Sequence, residues 1–382
     1  MEMTLFIELL QVSMGTRNTL SRVPTVAEWE ALFVEAQQQA VLGIMTSGIE
    51  RLPQEQQPSK VLLLQWVGLT LQIEQHNSIT TKSCKEIIEQ FKKDGFNVCV
   101  LKGQANHRYY PREMQCRRSC GDVDIWVSPV KGEGVNGNSN LVRLVLEYVD
   151  AHWERTGLCW LHCNFNHESG VPVEIHFHPS FMNEPIRNSL FLKMFSDFDD
   201  CICQKEIDEN VLIPVMKPEY DILFQMNHIY RHLIDEGVGL RQIVDYYMLL
   251  GSVHDSGLMT QDFKEERMRV IEQLGMKRFA EALMYVLREI LAMPEEYMLC
   301  SASEKDGKFL MNEIMMAGNF GHSDPRLGTL SSQGVLSRQI SQAKRRFIRN
   351  MRFLTSYPGE VIWEPFARMW HFAWKKFGLW RF

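Results

Sequence analysis

The run Gly121-Asp122-Val123-Asp124-Ile125-Trp126-Val127 restricts what this chain can fold into more than any other stretch. Acids alternate with apolar residues, and in an extended strand successive side chains point to opposite faces. Val123, Ile125 and Val127 then enter a core, while Asp122 and Asp124 stand together on the other side. Two carboxylates that close repel each other unless a cation lies between them, so the pattern points to a divalent metal site on a sheet. The run Val171-Pro172-Val173-Glu174-Ile175-His176-Phe177-His178 repeats the alternation, with Val173, Ile175 and Phe177 on one face and Glu174, His176 and His178 on the other. If the two strands are neighbours, Glu174 completes a carboxylate triad, and His176 shares its face.

Upstream, Val98-Cys99-Val100-Leu101 forms a short apolar strand that leads into Lys102-Gly103-Gln104-Ala105-Asn106. A strand ending at glycine and followed by a helix offers free backbone N–H groups and the positive end of the helix dipole at the sheet edge, a place for phosphate. Between this point and the aspartates lie Lys102, Arg108, Arg112, Arg117 and Arg118 against one acid, Glu113. The whole chain carries a net charge of −6, so this basic excess is local. Beside a metal site it suits a triphosphate, and the overall charge argues against a coat for gripping duplex nucleic acid.

Hydrophobic periodicity divides the 382 residues into a helical region over 1–95, a mixed core over 96–215, a helical region over 216–330 and a basic aromatic tail over 331–382. The expected class is α+β, a small mixed β-sheet core flanked by N-terminal and C-terminal helical regions. Thr25 caps a first helix carrying Trp29, Leu32, Phe33 and Ala36, and a long helix from about residue 59 to 93 stops at Gly95. In the core, a loop over 128–140, a helix over 141–149, a strand over 158–165 and a turn at His167-Glu168-Ser169-Gly170 precede the Glu174 strand. Further helices are expected over 220–233, after Gly239, and over 261–275, 277–292 and 304–316. His228 and His232 share a helix face but lack the Glu that a zinc protease places after the first His. With Arg241, four residues before Asp245, they are candidates for contact with an acceptor substrate.

Nine cysteines without a two-residue spacer between any pair read as reduced thiols rather than zinc ligands. The acidic start, Met1-Glu2-Met3-Thr4, is unlike a secretory signal, and the most apolar stretch, 61–73, is too short to cross a bilayer. A cytoplasmic protein is expected. From Arg338 to Phe382 the chain has ten Lys or Arg and two Glu, a net +8 interleaved with Trp363, Trp370, Trp374 and Trp380. Such a tail suits packing on the acidic body, a homodimer contact, an anionic membrane or single-stranded nucleic acid.

Leu101-Lys102-Gly103, Tyr110-Pro111, Arg117 or Arg118, Gly121-Asp122-Val123-Asp124 and Val173-Glu174-Ile175-His176, in this order, resemble the DNA polymerase β-like nucleotidyltransferase superfamily. Within it the chain looks most like the bacterial group of uncharacterised nucleotidyltransferases. The likeness covers residues 96–180 and, more loosely, the helices to about 250 through Gly239-Leu240-Arg241 and Asp245. It implies that Asp122, Asp124 and Glu174 bind Mg2+ or Mn2+, that Glu174 activates an acceptor hydroxyl, and that Lys102, Gly103, Arg117 and Arg118 face the nucleotide. The implied reaction moves a nucleoside monophosphate from a nucleoside triphosphate to a hydroxyl on a small molecule, protein or RNA. Where the superfamily usually has Gly-Ser or Gly-Gly, this chain has Lys102-Gly103-Gln104, with a long spacing to Asp122. That departure keeps open a nucleotide-binding regulatory protein without turnover. A sugar transferase using Asp-x-Asp is the third reading, although the helical first ninety residues lack the strand-and-helix alternation it would need.

Overall fold

The computed structural model describes residues 3–130, 138–208, 211–319, 324, 326 and 335–381. Contacts group the chain into two compact units, Met1–Leu71 with Gln225–Trp363, and Gln72–Phe224 with Glu364–Phe382. Among the described residues, no helix is long and apolar enough to cross a membrane.

The first unit is built of helices. Thr25 closes a capping box with Glu28 at the start of Val26–Gln38, which buries Trp29, Leu32 and Ala36. Leu240–Asp255 buries most of its length, and Lys277–Leu291 turns the apolar stripe of Phe279, Leu283, Val286, Leu287 and Ile290 inward, with Lys277 and Glu289 left exposed. His228 and His232 lie on Pro218–Asp235 in this unit, one helical turn apart with ring centroids at 4.3 Å, and His232 Nδ1 lies 3.3 Å from Glu236 Oε1. Arg241 begins the helix Leu240–Asp255, on which Asp245 is buried.

The second unit holds a seven-stranded mixed sheet. Its strands are β1 (Phe96–Val100), β2 (Val123–Pro129), β3 (Arg155–Leu158), β4 (His162–Asn166), β5 (Pro172–His176), β6 (Ile202–Asp208) and β7 (Val211–Met216), in the order β3-β4-β5-β2-β1-β7-β6. β2 runs antiparallel to β1 and parallel to β5, so the Asp-x-Asp strand is central. Val123, Ile125 and Val127 join Val98, Val100, Val173 and Ile175 in one core, as alternation requires. Ile87, Ile88 and Phe91 of the helix Lys60–Lys93 and Val145 and Val149 of Asn138–His152 cover it. Gly95 reverses the chain into β1 at φ +88°, a conformation that side chains with a Cβ resist.

Two expectations need correction, and the sheet contains one hairpin that the sequence did not indicate. The stretch 158–165 is two strands joined by a turn, in which Cys159 N donates to His162 O at 2.9 Å. Gly103–Tyr109 is a 3-10 helix, so the strong dipole of a long α-helix is absent there. The hairpin β6–β7 has no clear sequence signal, because charges occupy β6 and Pro214 interrupts β7. β7 meets β1 only at the pair Val100–Val215, which leaves room for a residue without an N–H. The expected loop falls partly on 131–137, outside the described residues.

Phe165, fully buried on β4, stacks on Trp153 with centroids 4.3 Å apart. Phe165→Ala leaves a cavity beneath the β4–β5 hairpin and is expected to lower stability by about 3–5 kcal/mol, read from urea unfolding.

Candidate functional site

The parallel pairing of β2 and β5 sets Asp124 opposite Glu174 and Trp126 opposite His176. On the antiparallel side of β5, β4 sets Asn164 opposite Glu174 and His162 opposite His176. These residues share the face opposite the apolar core because each is an even number of positions from its neighbour on its strand. The face is covered. Trp126 packs on Phe198 at 4.4 Å and Phe195 at 6.3 Å, and Asp124 has no exposed surface.

Asp124 is held from both ends. Its backbone oxygen accepts from Leu101 N at 3.1 Å, which ties β2 to the end of β1. Its side-chain Oδ1 receives Lys102 Nζ and His176 Nε2, each at 3.1 Å. His176 Nε2 also lies 3.4 Å from Glu174 Oε2, and Asn164 Nδ2 donates to Glu174 Oε1 at 3.2 Å. His162 stands behind, with Nδ1 2.7 Å from Asn164 Oδ1 and Nε2 3.7 Å from Glu174 Oε2. A short antiparallel ladder thus supports the acids from β4.

The electrostatics follow from burial opposed by close countercharges. Burial works against the Lys102 ammonium, but the carboxylates of Asp124, Asp122 and Glu174 outweigh it and keep that ammonium charged beyond its ordinary range. Burial also works against a charged His176, yet its hydrogen bonds to Asp124 and Glu174 raise its pKa above the usual 6.5. Glu174 would be raised by burial, but the His176 hydrogen bond and the charge of Lys102 hold it well below the usual carboxylate range. His178, past the end of β5, is pushed down to about 4 by burial and by the neighbouring His176.

One compact set of ligand atoms results: Asp124, Glu174 and His176 each bring an atom within 4.8 Å of the others, the only such set among the described residues. Asp122 lies just before β2, half-buried, and acts on Lys102 through its charge without joining that set. Asp124 Oδ2 and His176 Nδ1 are buried without a hydrogen-bond partner. An orphaned carboxylate oxygen beside a second carboxylate and an imidazole fits a divalent cation.

Gly103 takes φ +60°, and its Cα faces the Asp122 carbonyl closely enough that an added Cβ would sit 3.5 Å from that oxygen. Arg117 pairs with Glu74 at 3.1 Å. Arg118 is buried, donating to Ser119 O at 3.1 Å and to Cys120 Sγ at 3.2 Å. His228, His232 and Arg241 belong to the helical unit, not to this cluster. Two residues that the sequence pattern did not single out stand here. Asn164 orients Glu174, a role carried by its place opposite Glu174 in the β4–β5 register. Gln104, directly after Gly103, is fully buried with neither amide atom hydrogen-bonded.

Residues 25–292 match the model of a family described as Uncharacterised nucleotidyltransferase. The chain belongs to that family. No curated protein matches it. In this nucleotidyltransferase the matched span contains both acidic strands and the Lys102-Gly103 turn.

His176 at the end of β5 and His178 just beyond it are shifted in opposite directions. In an NMR titration of the metal-free protein, the His176 ring is expected to change charge above pH 6.5 and His178 near pH 4. The signs differ: charged His176 stabilises the fold below pH 6.5, an effect lost as pH rises through its raised value. His178 acts the other way, its neutral state costing stability as pH falls from 6.5 towards 4. Coincident midpoints near 6.5 would contradict the described contacts.

Proposed function

We propose that this protein transfers a nucleoside monophosphate from a nucleoside triphosphate to a hydroxyl acceptor, using a divalent cation, Mg2+ or Mn2+. The observation that carries the reading is the pairing of Asp124 with Glu174 across β2 and β5, with Asp124 Oδ2 buried and unpartnered. Asp124 and Glu174, with Asp122 at the strand entrance, would hold the metal, and His176 is a further ligand for it once neutral. Bound there, a divalent cation would neutralise phosphate charge and lower the pKa of an attached hydroxyl.

The chain's own residues account for the remaining needs of the reaction. Lys102 and the Gly103 turn supply positive charge and close backbone approach for the phosphates, and Gln104 offers an amide with unused hydrogen-bonding capacity. Arg117 and Arg118 are assigned to the nucleotide side, reached from Glu74 and Ser119 on exchange of their present partners. The acceptor oxygen attacks the α-phosphorus, the bond to the bridging oxygen breaks, and pyrophosphate leaves. Glu174, ionised at neutral pH, takes the hydroxyl proton, and His176 and Asn164 hold it in place. The acceptor is a small molecule, protein or RNA, approached with the help of His176. The setting is cytoplasmic, with the protein acting alone or as a homodimer.

A second reading has an observation of its own. Asp124 Oδ1 is already shared by Lys102 and His176, so the protein's own cations balance much of the acidic charge. A regulatory protein that binds triphosphate without turnover would need no more.

Incubation with each α-labelled triphosphate, Mg2+ and candidate acceptors separates the two. The expected result is label transfer that drops by two to three orders of magnitude in Asp124→Asn or Glu174→Gln, a size usual for losing one transition-state charge partner. Triphosphate binding by calorimetry with no pyrophosphate release from any acceptor would decide for the regulatory reading.

A further inference from the structure

The helix Pro358–Phe377 is oriented opposite to the usual amphipathic helix, which turns its apolar stripe towards the core. Phe366, Met369, Trp370, Phe372 and Phe377 are each between 55% and 68% exposed. Apart from Phe372, they fall at i, i+3, i+4 and i+11, so they line one continuous outward stripe flanked by Phe372. The opposite face is docked on the sheet unit. Trp374 enters the core beside the strands, and His371 stacks on Trp160 at 5.1 Å and meets Phe181 at 4.9 Å. The helix is therefore held in place with Met369, Trp370, Phe372 and Phe377 largely exposed.

Charge on this helix is sorted in the same direction. Both acids, Glu360 and Glu364, are buried, whereas Lys375 and Lys376 are exposed. Lys376 Nζ lies over the rings of Phe372 and Phe377 at 5.5 and 5.9 Å. At the helix end, Arg155 and Gly157 of β3, Lys375, Lys376, Phe377 and Trp380 line an open cleft of about 400 Å³. Among the described residues, no carboxylate lines it. Arg155 spends Nη2 on Asp150 at 3.1 Å, while its buried Nη1 has no hydrogen-bond partner.

We propose that the C-terminal helix is an interfacial anchor: it lays the Phe366, Met369, Trp370 and Phe377 stripe into the surface of an anionic bilayer, and the Arg155, Lys375, Lys376 cleft receives a lipid headgroup phosphate. Aromatic residues on one side with lysines at the margin are the composition of helices that lie in a membrane interface. Single-stranded RNA fits less well, because it needs a long basic groove interleaved with rings, and this stripe includes Met369 and only two exposed lysines. An isologous contact between two copies of the stripe offers no acid to Lys375 and Lys376, since both acids of this helix are buried. An anionic lipid surface instead complements the positive charge of Arg155, Lys375 and Lys376 at the end of this helix.

The test is sedimentation of the full-length protein with vesicles of phosphatidylcholine alone and of phosphatidylcholine with phosphatidylglycerol. Binding is expected only to the second, weakening with salt and accompanied by a blue shift of tryptophan emission. Lys375→Glu with Lys376→Glu should reduce partitioning by about thirtyfold or more, given the usual contribution of lysines at an anionic surface. Met369→Ser with Trp370→Ser should reduce it by at least about tenfold. All four positions are exposed, so the thermal midpoint should not move, and a midpoint shift in one pair leaves the other pair to decide. Absence of binding by the unaltered protein, equal binding by both double variants, or preference for labelled single-stranded RNA over the anionic vesicles overturns the proposal. So does a dimer abolished by Met369→Ser with Trp370→Ser in a protein that does not sediment with vesicles.

Discussion

Placing two carboxylates next to each other in a buried position is the constraint to which the rest of the sheet unit answers. Asp124 and Glu174 are paired by the parallel register of β2 and β5, and Asp124 has no exposed surface. Burying such charges without partners costs several kcal/mol for each ion. Lys102 and His176 meet the cost by converging on one oxygen of Asp124, while Asn164 and His176 satisfy Glu174. The second Asp124 oxygen is left without a partner, and this asymmetry gives the cluster its reach towards chemistry. A site balanced on one side and unsatisfied on the other is poised to take up a further cation.

The supports of this cluster come from sequence-distant elements. The end of β1 supplies Lys102 and the backbone bond from Leu101 to Asp124, and β4 supplies Asn164 and His162 through an antiparallel ladder. The 3-10 segment after Gly103 brings a buried, unpartnered Gln104 to the same turn. Asp124, Glu174, His176, Asn164 and His162 are fixed by strand pairing, so their relative positions are set by register, while Lys102 and Gln104 follow directly on the end of β1. The membership of the chain in a nucleotidyltransferase family accords with such a rigid constellation.

The C-terminal helix solves the reverse problem. On the sheet-facing side of Pro358–Phe377, His371 stacks on Trp160 and Trp374 enters the core, while Arg368 pairs with the buried Glu364 one turn away. The apolar residues are thereby directed outward, where water is a poor neighbour for them. For the tail tryptophans the sequence left open a dimer contact, an anionic membrane, single-stranded nucleic acid or an intramolecular role. Trp374 fills it, while Trp370 stands exposed.

The sequence by itself determined the alternation of Asp122 to Val127 and Val171 to His178, the cap at Thr25, the turn at Gly95 and the α+β class, because these depend on local periodicity and backbone sterics. It also brought Asp124, Glu174 and His176 under suspicion, since residues of one parity on a strand share a face. Only the tertiary structure decided that Asp124 would be fully buried, that Lys102 would rest on its carboxylate, and that His176 rather than Asp122 would complete the compact ligand set. Those outcomes turn on which strands become neighbours and in which register, a choice made by non-local packing. The split of 158–165 into two strands and the pairing of β7 with β1 were decided in the same way, because a short edge strand is stabilised by its partner more than by its own residues.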